Sequence, residues 1–78
     1  MVQGSGMADA KVLSELNGTV WKIEVAPGDR VSEGDTLILL ESMKMEIPVT
    51  APKDGVVKEI LVNEEQPVAE GAVLVVLE

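Results

Sequence analysis

The sequence predicts an all-β fold in which two copies of one unit close on each other, about a pseudo-twofold axis, as a flattened antiparallel sandwich or barrel. Three observations carry this. Sliding the chain by 37 places lays residues 12–41 over 49–78 without a gap, and 11 of the 30 positions are identical. The matches are Val12, Gly18, Val20, Ile23, Val25, Val31, Glu33, Gly34, Leu37, Leu40 and Glu41 with Val49, Gly55, Val57, Ile60, Val62, Val68, Glu70, Gly71, Leu74, Leu77 and Glu78. Most are apolar residues or glycines, so what repeats is a core pattern with its turns. Turn signals also arrive at short intervals, at Asn17-Gly18, Pro27-Gly28-Asp29, Glu33-Gly34-Asp35, residues 42–48, 52–55 and 64–67, and Glu70-Gly71. Between them lie short runs of Val, Ile and Leu, too short for helices.

Residues 1–10 are small and without periodicity, and Gly4-Ser5-Gly6 reads as a linker or an expression remnant. This stretch is expected to be a flexible tail, with Met7 a candidate natural start. The folded domain is then 11–78. The runs between turns give eight strands, near 12–16, 19–25, 30–32, 36–41, 46–50, 56–62, 67–69 and 73–77. In the second and sixth, Val20, Ile23 and Val25, and their copies Val57, Ile60 and Val62, break the period of two. A bulge near 21–22 and 58–59 restores it. The fourth and eighth are continuous apolar runs, as expected of strands buried on one face and partly covered on the other. Each copy is expected to cover the apolar face of the other, and closure protects the edges of so small a sheet protein.

The join between the copies, residues 42–48, follows Glu41. A tight hairpin there requires positive φ, for which Asn-Gly or Gly-Gly are the usual choices. This chain offers Ser42-Met43-Lys44-Met45. A residue with a Cβ at positive φ costs roughly 1–2 kcal/mol. Either a functional demand overrides local preference at this point, or the join is a longer, unstrained loop with an ordinary solvated lysine.

Composition narrows the chemistry. The 78 residues contain no Cys and no His, so thiol nucleophiles, disulfides and the commonest general base and metal ligand are all missing. Ser14, Ser32 and Ser42 have no imidazole to activate them, which argues against a self-contained enzyme. Fourteen acidic against six basic residues give a net charge of −8, the wrong sign for nucleic acid or an anionic membrane surface. No apolar run reaches transmembrane length, and a soluble, cytoplasmic protein is expected, or one of the mitochondrial matrix if eukaryotic. With one aromatic residue, Trp21, the core has to be built from Val, Ile, Leu and Ala. Trp21 aligns with Lys58 and is therefore expected to face outward. Lys11, Lys22, Lys53 and Lys58 read as solvated, and the acidic turn residues Asp29, Glu33, Asp35, Glu64 and Glu65 as turn chemistry rather than a metal site.

The stretch Glu41-Ser42-Met43-Lys44-Met45 resembles the E-[A/S]-M-K-M signature of biotinyl domains, the biotin carboxyl carrier modules of biotin-dependent carboxylases. The flanks are similar too: G-x-V-x-x-I-x-V at 18–25, G-D-x-V-x-x-G-D-x-L at 28–37 and A-P-x-x-G-x-V at 51–57. The resemblance implies an eight-stranded barrel-sandwich hybrid with a modified lysine, Lys44, at the tip of the central hairpin. It implies that a biotin protein ligase joins biotin to Lys44 as an amide. It further implies that biotin is carboxylated by a biotin carboxylase and delivers the carboxyl group to a carboxyltransferase. Glu41 and Ser42 belong to the motif, and Met43 and Met45 flank the lysine as recognition residues with adaptable side chains. Alternatively, both methionines are turned into the core. A solvated lysine amine is neutral in only about one molecule in a thousand near pH 7, so activation has to come from the ligase, and Lys44 is a substrate residue rather than a catalytic one.

Departures from the family pattern fall in turns. The usual A-P-x-x-G opening is Ser14-Glu15-Leu16-Asn17-Gly18, and Gly-Asp of the second copy is Glu65-Gln66, which puts local turn geometry in doubt. The gapless repeat leaves no room for the protruding thumb of some carriers. Two rivals stand beside the biotin reading. One is a lipoyl carrier of a 2-oxoacid dehydrogenase-type complex, whose lysine is usually flanked by Asp and Ala. The other is an interaction module with Lys44 unmodified. As an isolated domain the chain is expected to be monomeric.

Overall fold

The computed structural model describes residues 9–78; the expected tail lies outside the described residues except for Asp9 and Ala10. Eight strands follow in order: β1 (Ala10–Leu13), β2 (Gly18–Ile23), β3 (Arg30–Val31), β4 (Thr36–Ser42), β5 (Met45–Thr50), β6 (Gly55–Ile60), β7 (Pro67–Val68) and β8 (Val73–Leu77). They form two antiparallel four-stranded sheets, β1-β8-β6-β3 and β5-β4-β2-β7. The 37-residue repeat turns one order into the other, so the barrel-sandwich has the expected twofold character.

The halves are joined differently from the expectation. Each does not cover the other as a separate layer. Every sheet holds two strands from each half, because β1 and β3 pair with β8 and β6 of the second half, and β5 and β7 pair with β4 and β2 of the first. Edges are blunted by Pro48 and Pro67, tolerated because β5 and β7 are edge strands, and by the two-residue length of β3 and β7.

Strand limits move by at most three residues, and the last strand is as expected. The first strand is Ala10–Leu13 rather than 12–16, because Ser14 folds its hydroxyl back onto the Leu16 carbonyl at 2.6 Å and opens a turn. After Ile23 and Ile60 the chain leaves the ladder, yet Glu24 and Leu61 each donate one more bond, to Leu37 O and Leu74 O at 2.9 Å. The two expected bulges are present, between Val20 and Lys22 and between Val57 and Glu59. Each lets two consecutive residues, Trp21-Lys22 and Lys58-Glu59, face solvent. A second pair of bulges, absent from the sequence reading, sits at Leu37 and Leu74 and turns both Leu37 and Ile38 inward.

Most of the repeated apolar positions are the core: Val20 with Val57, Val31 with Val68, Leu37 with Leu74 and Leu40 with Leu77 are all buried. Val76 is covered on the outer side as well, where it lies between Lys11 and Glu59, whose stems can shield it. Of the four lysines expected to be solvated only Lys53 departs, being half-buried; Lys11, Lys22 and Lys58 are exposed, and Lys58 binds Asp9 at 2.7 Å. That hydrogen bond and charge raise the Lys58 ammonium above its ordinary value, although so exposed a pair adds little to stability.

The halves exchange turn bonds as well as strands. Gly28 donates to Val57 O and Val57 to Asp29 O, both at 2.8 Å; in the copy, Glu65 donates to Val20 O at 2.6 Å and Val20 to Gln66 O at 2.8 Å. Side chains repeat the scheme. Asp29 Oδ2 accepts from Ala26 N and Gln66 Oε1 from Asn63 N, so the departure Glu65-Gln66 keeps the turn geometry. It does so under strain, with Glu65 at φ 69° where the first half has Gly28 at φ 96°.

The repeated glycines Gly18 and Gly55 have a separate cause. A Cβ on either would lie 2.8 Å from a carbonyl oxygen, that of Glu41 or Glu78. Gly55→Ala is therefore expected to lower stability by about 1–3 kcal/mol through overpacking, read from the midpoint of urea unfolding. In the same assay Glu65→Gly is expected to raise it by about 0.5–1 kcal/mol, the relief of strain less the entropy that glycine adds to the unfolded chain.

Candidate functional site

Strands β4 and β5 pair through Leu39 with Pro48, Leu40 with Ile47, Glu41 with Glu46 and Ser42 with Met45. Only Met43 and Lys44 are left outside the ladder, at φ 53° and 67°. Positive φ at both central residues is the type I′ loop, whose twist matches that of the strands it joins. The longer loop over 42–48 is thus replaced by a two-residue turn. Its two side-chain-bearing residues together cost roughly 2–4 kcal/mol of backbone strain.

The root of the hairpin withstands that strain. Leu37, Ile38 and Leu40 are fully buried, and β4 is paired on both sides, by β2 and β5. Gly18 presses against the Glu41 carbonyl two residues below the loop. The tip is therefore held by the central strand of its sheet.

All five motif residues are brought together there. Lys44 is exposed and takes part in no salt bridge among the described residues. Met43 is 91% exposed and Met45 62%, so neither is turned into the core. Two flexible, polarizable side chains flank the amine in solvent, an arrangement that costs solubility and suits contact with changing partners. Ser42 is half-buried on the last rung, and Glu41 is exposed. Glu46 lies just outside the signature. The register sets it directly opposite Glu41, also exposed, and like charges across a rung destabilise by roughly 0.2–1 kcal/mol. A two-residue loop pairs i with i+5 at that rung, so the pairing follows once the loop length is known.

Chemically, the site presents one exposed primary amine on a four-carbon stem at the tip of a paired hairpin. Such an amine fits a cofactor that arrives as an activated carboxylic acid and is then held as an amide. A group joined there would stand clear of the body of the domain.

The chain is similar to known proteins in both sequence and fold. The model of a family described as "Biotin-requiring enzyme" matches residues 7–77. A biotin/lipoyl attachment protein of Bacillus subtilis is 44% identical over 63 residues, covering 81% of this chain and 86% of that protein. The biotin-dependent acyl-coenzyme A carboxylase alpha3 subunit of Mycobacterium leprae is 41% identical over 71 residues, covering 91% of this chain but only 12% of the subunit. Among solved structures, the urea carboxylase of Kluyveromyces lactis superposes with a TM-score of 0.88 at 33% identity, covering 100% of this chain and 7% of that one. The chain thus spans most of the small relative and a small part of the carboxylases.

If function and not folding dictates the tip, an ordinary hairpin turn should be more stable. Replacing Met43-Lys44 by Asn-Gly (M43N/K44G) is expected to raise the unfolding free energy by about 1–3 kcal/mol in urea. An unchanged or lowered value would mean that the tip is not strained.

Proposed function

The chain belongs to the family of biotin/lipoyl attachment domains, and on that premise we propose that it is a biotin carboxyl carrier whose attachment point is Lys44. The observation that carries this reading is the exposed amine on a strained two-residue tip, between two exposed methionines.

In the attachment step, the Lys44 amine gives up a proton and attacks the acyl carbon of a biotinyl-adenylate held by a biotin protein ligase. The C–N bond of the amide forms, the acyl–oxygen bond to phosphate breaks, and AMP leaves. The ligase supplies activation and a desolvated site, and this chain supplies position. When attached, biotin supplies a ring nitrogen on which a carboxyl group can ride. The domain itself does no chemistry on that group. Its ladder fixes the backbone beneath Lys44, so the arm starts from one defined point and reaches first a biotin carboxylase and then a carboxyltransferase. Met43 and Met45 adapt to each surface in turn. The acceptor of the carboxyl group belongs to the carboxyltransferase.

The flanks Met43 and Met45 favour biotin over lipoate, and intact mass separates the two. Incubated with a biotin protein ligase, ATP and biotin, the chain is expected to gain one biotin, mapped by peptide mass to Lys44. Lys44→Arg, which keeps the charge, is expected to gain none. A biotinylated Lys44→Arg protein would overturn the assignment; a chain that takes only lipoate, or nothing, would overturn the biotin reading.

A further inference from the structure

Trp21 is the only aromatic residue of the chain, and neither the core nor the tip uses it. It sits on the β2 bulge, 46% exposed. The same bulge in the other half holds Lys58, tied to Asp9. The two sheets are otherwise copies of each other, so an exposed indole marks one outer face and not its twin. That face belongs to the sheet that carries the hairpin.

The register defines its surroundings. Lys22 lies opposite Leu39, and Leu39 opposite Pro48, so a strip of Trp21, Leu39 and Pro48 crosses β2, β4 and β5 on the outer side. Leu39 is half-buried and Pro48 exposed. On the side of the strip toward the tip stands the Glu41–Glu46 rung, two carboxylates face to face with no salt bridge among the described residues. Trp21 is level with Leu39 and Leu40, so Met43 lies about three residues further along, ~10 Å at the rise of a strand. A standard protein interface covers ~800 Å² per partner, a patch roughly 30 Å across, and one centred near the tip reaches Trp21.

We propose that this strip is the docking surface of the biotin protein ligase, with Trp21 as its anchor. The inference rests on the carrier reading and names the part of the surface used in the attachment step. The ligase is singled out by distance. It must bring its acyl donor to within bonding distance of the bare Lys44 amine, so its surface reaches down the hairpin. Enzymes that act on the finished arm meet its far end and need touch the domain no further down than Met43 and Met45 at the tip. The complementary surface is an apolar shelf for the indole beside an arginine or lysine that faces Glu41 and Glu46. The net charge of −8 steers such a basic surface toward the domain.

The test is steady-state biotinylation of the full chain by purified ligase with biotin and ATP. Trp21→Ser is expected to raise KM for the chain about tenfold with kcat nearly unchanged, as for the loss of a binding anchor. Trp21→Phe is expected to recover most of that loss. Trp21→Lys places at this bulge the residue that its copy already carries, so it guards against misfolding, and it is expected to behave like the Ser variant. Leu61→Ser removes an equally exposed apolar side chain from the β6 side of the other sheet and is expected to leave KM unchanged. Folded Trp21→Ser and Trp21→Lys proteins with the KM of the unaltered chain would overturn the proposal, as would an equal loss from Leu61→Ser. Failure of the unaltered chain to accept biotin would sink the carrier reading itself, and the docking surface with it.

Discussion

Neither half of this chain can close a sheet alone. Two of the four strands in each sheet come from the other half, and the amide of Val20 in one half and of Val57 in the other are both bonded to a turn across the divide. A 78-residue domain with one aromatic and no disulfide has little apolar area with which to oppose chain entropy. Exchange of strands makes most contacts long-range ones, so the structure is expected to form as a unit. The reciprocal side-chain bonds, Asp54 to the Glu33 amide and Asn17 to the Glu70 amide, both 2.8 Å, follow the same rule.

That cooperativity is what lets the hairpin tip disobey local preference. The described residues include three non-glycine positions at positive φ, and two of them are Met43 and Lys44. Strain, two exposed methionines and a repulsive glutamate rung are all concentrated within six residues, beyond a root that is fully packed. Unfavourable local choices of this kind persist where the surroundings over-determine the conformation. Here they leave an amine standing in solvent, which is what a carrier of an amide-linked group requires.

Much of this was legible in the residues. The repeat gave the strand number and the equivalence of the halves, and the broken alternation at Val20, Ile23 and Val25 located both bulges. What escaped was non-local. Nothing in a 37-residue repeat distinguishes two halves lying face to face from two halves trading strands, because both bury the same side chains. The first strand was misplaced because Ser14 reads as an ordinary strand residue until its hydroxyl finds the Leu16 carbonyl. The tightness of the loop was undecidable from Ser42-Met43-Lys44-Met45, which has no turn residue to mark a register. The Leu37 and Leu74 bulges lie inside apolar runs, where alternation leaves no trace.

The tip is a consequence of an interlocked shell, and native-state amide hydrogen exchange reaches that shell directly. The amides of Val20 and Val57 are predicted to open with one common free energy, equal to that of global unfolding, because breaking either bond requires both halves to part. If the amides of one half exchanged through a cheaper, separate opening while the other half stayed protected, the halves would be independent units, and the source of the tip's rigidity would lie elsewhere.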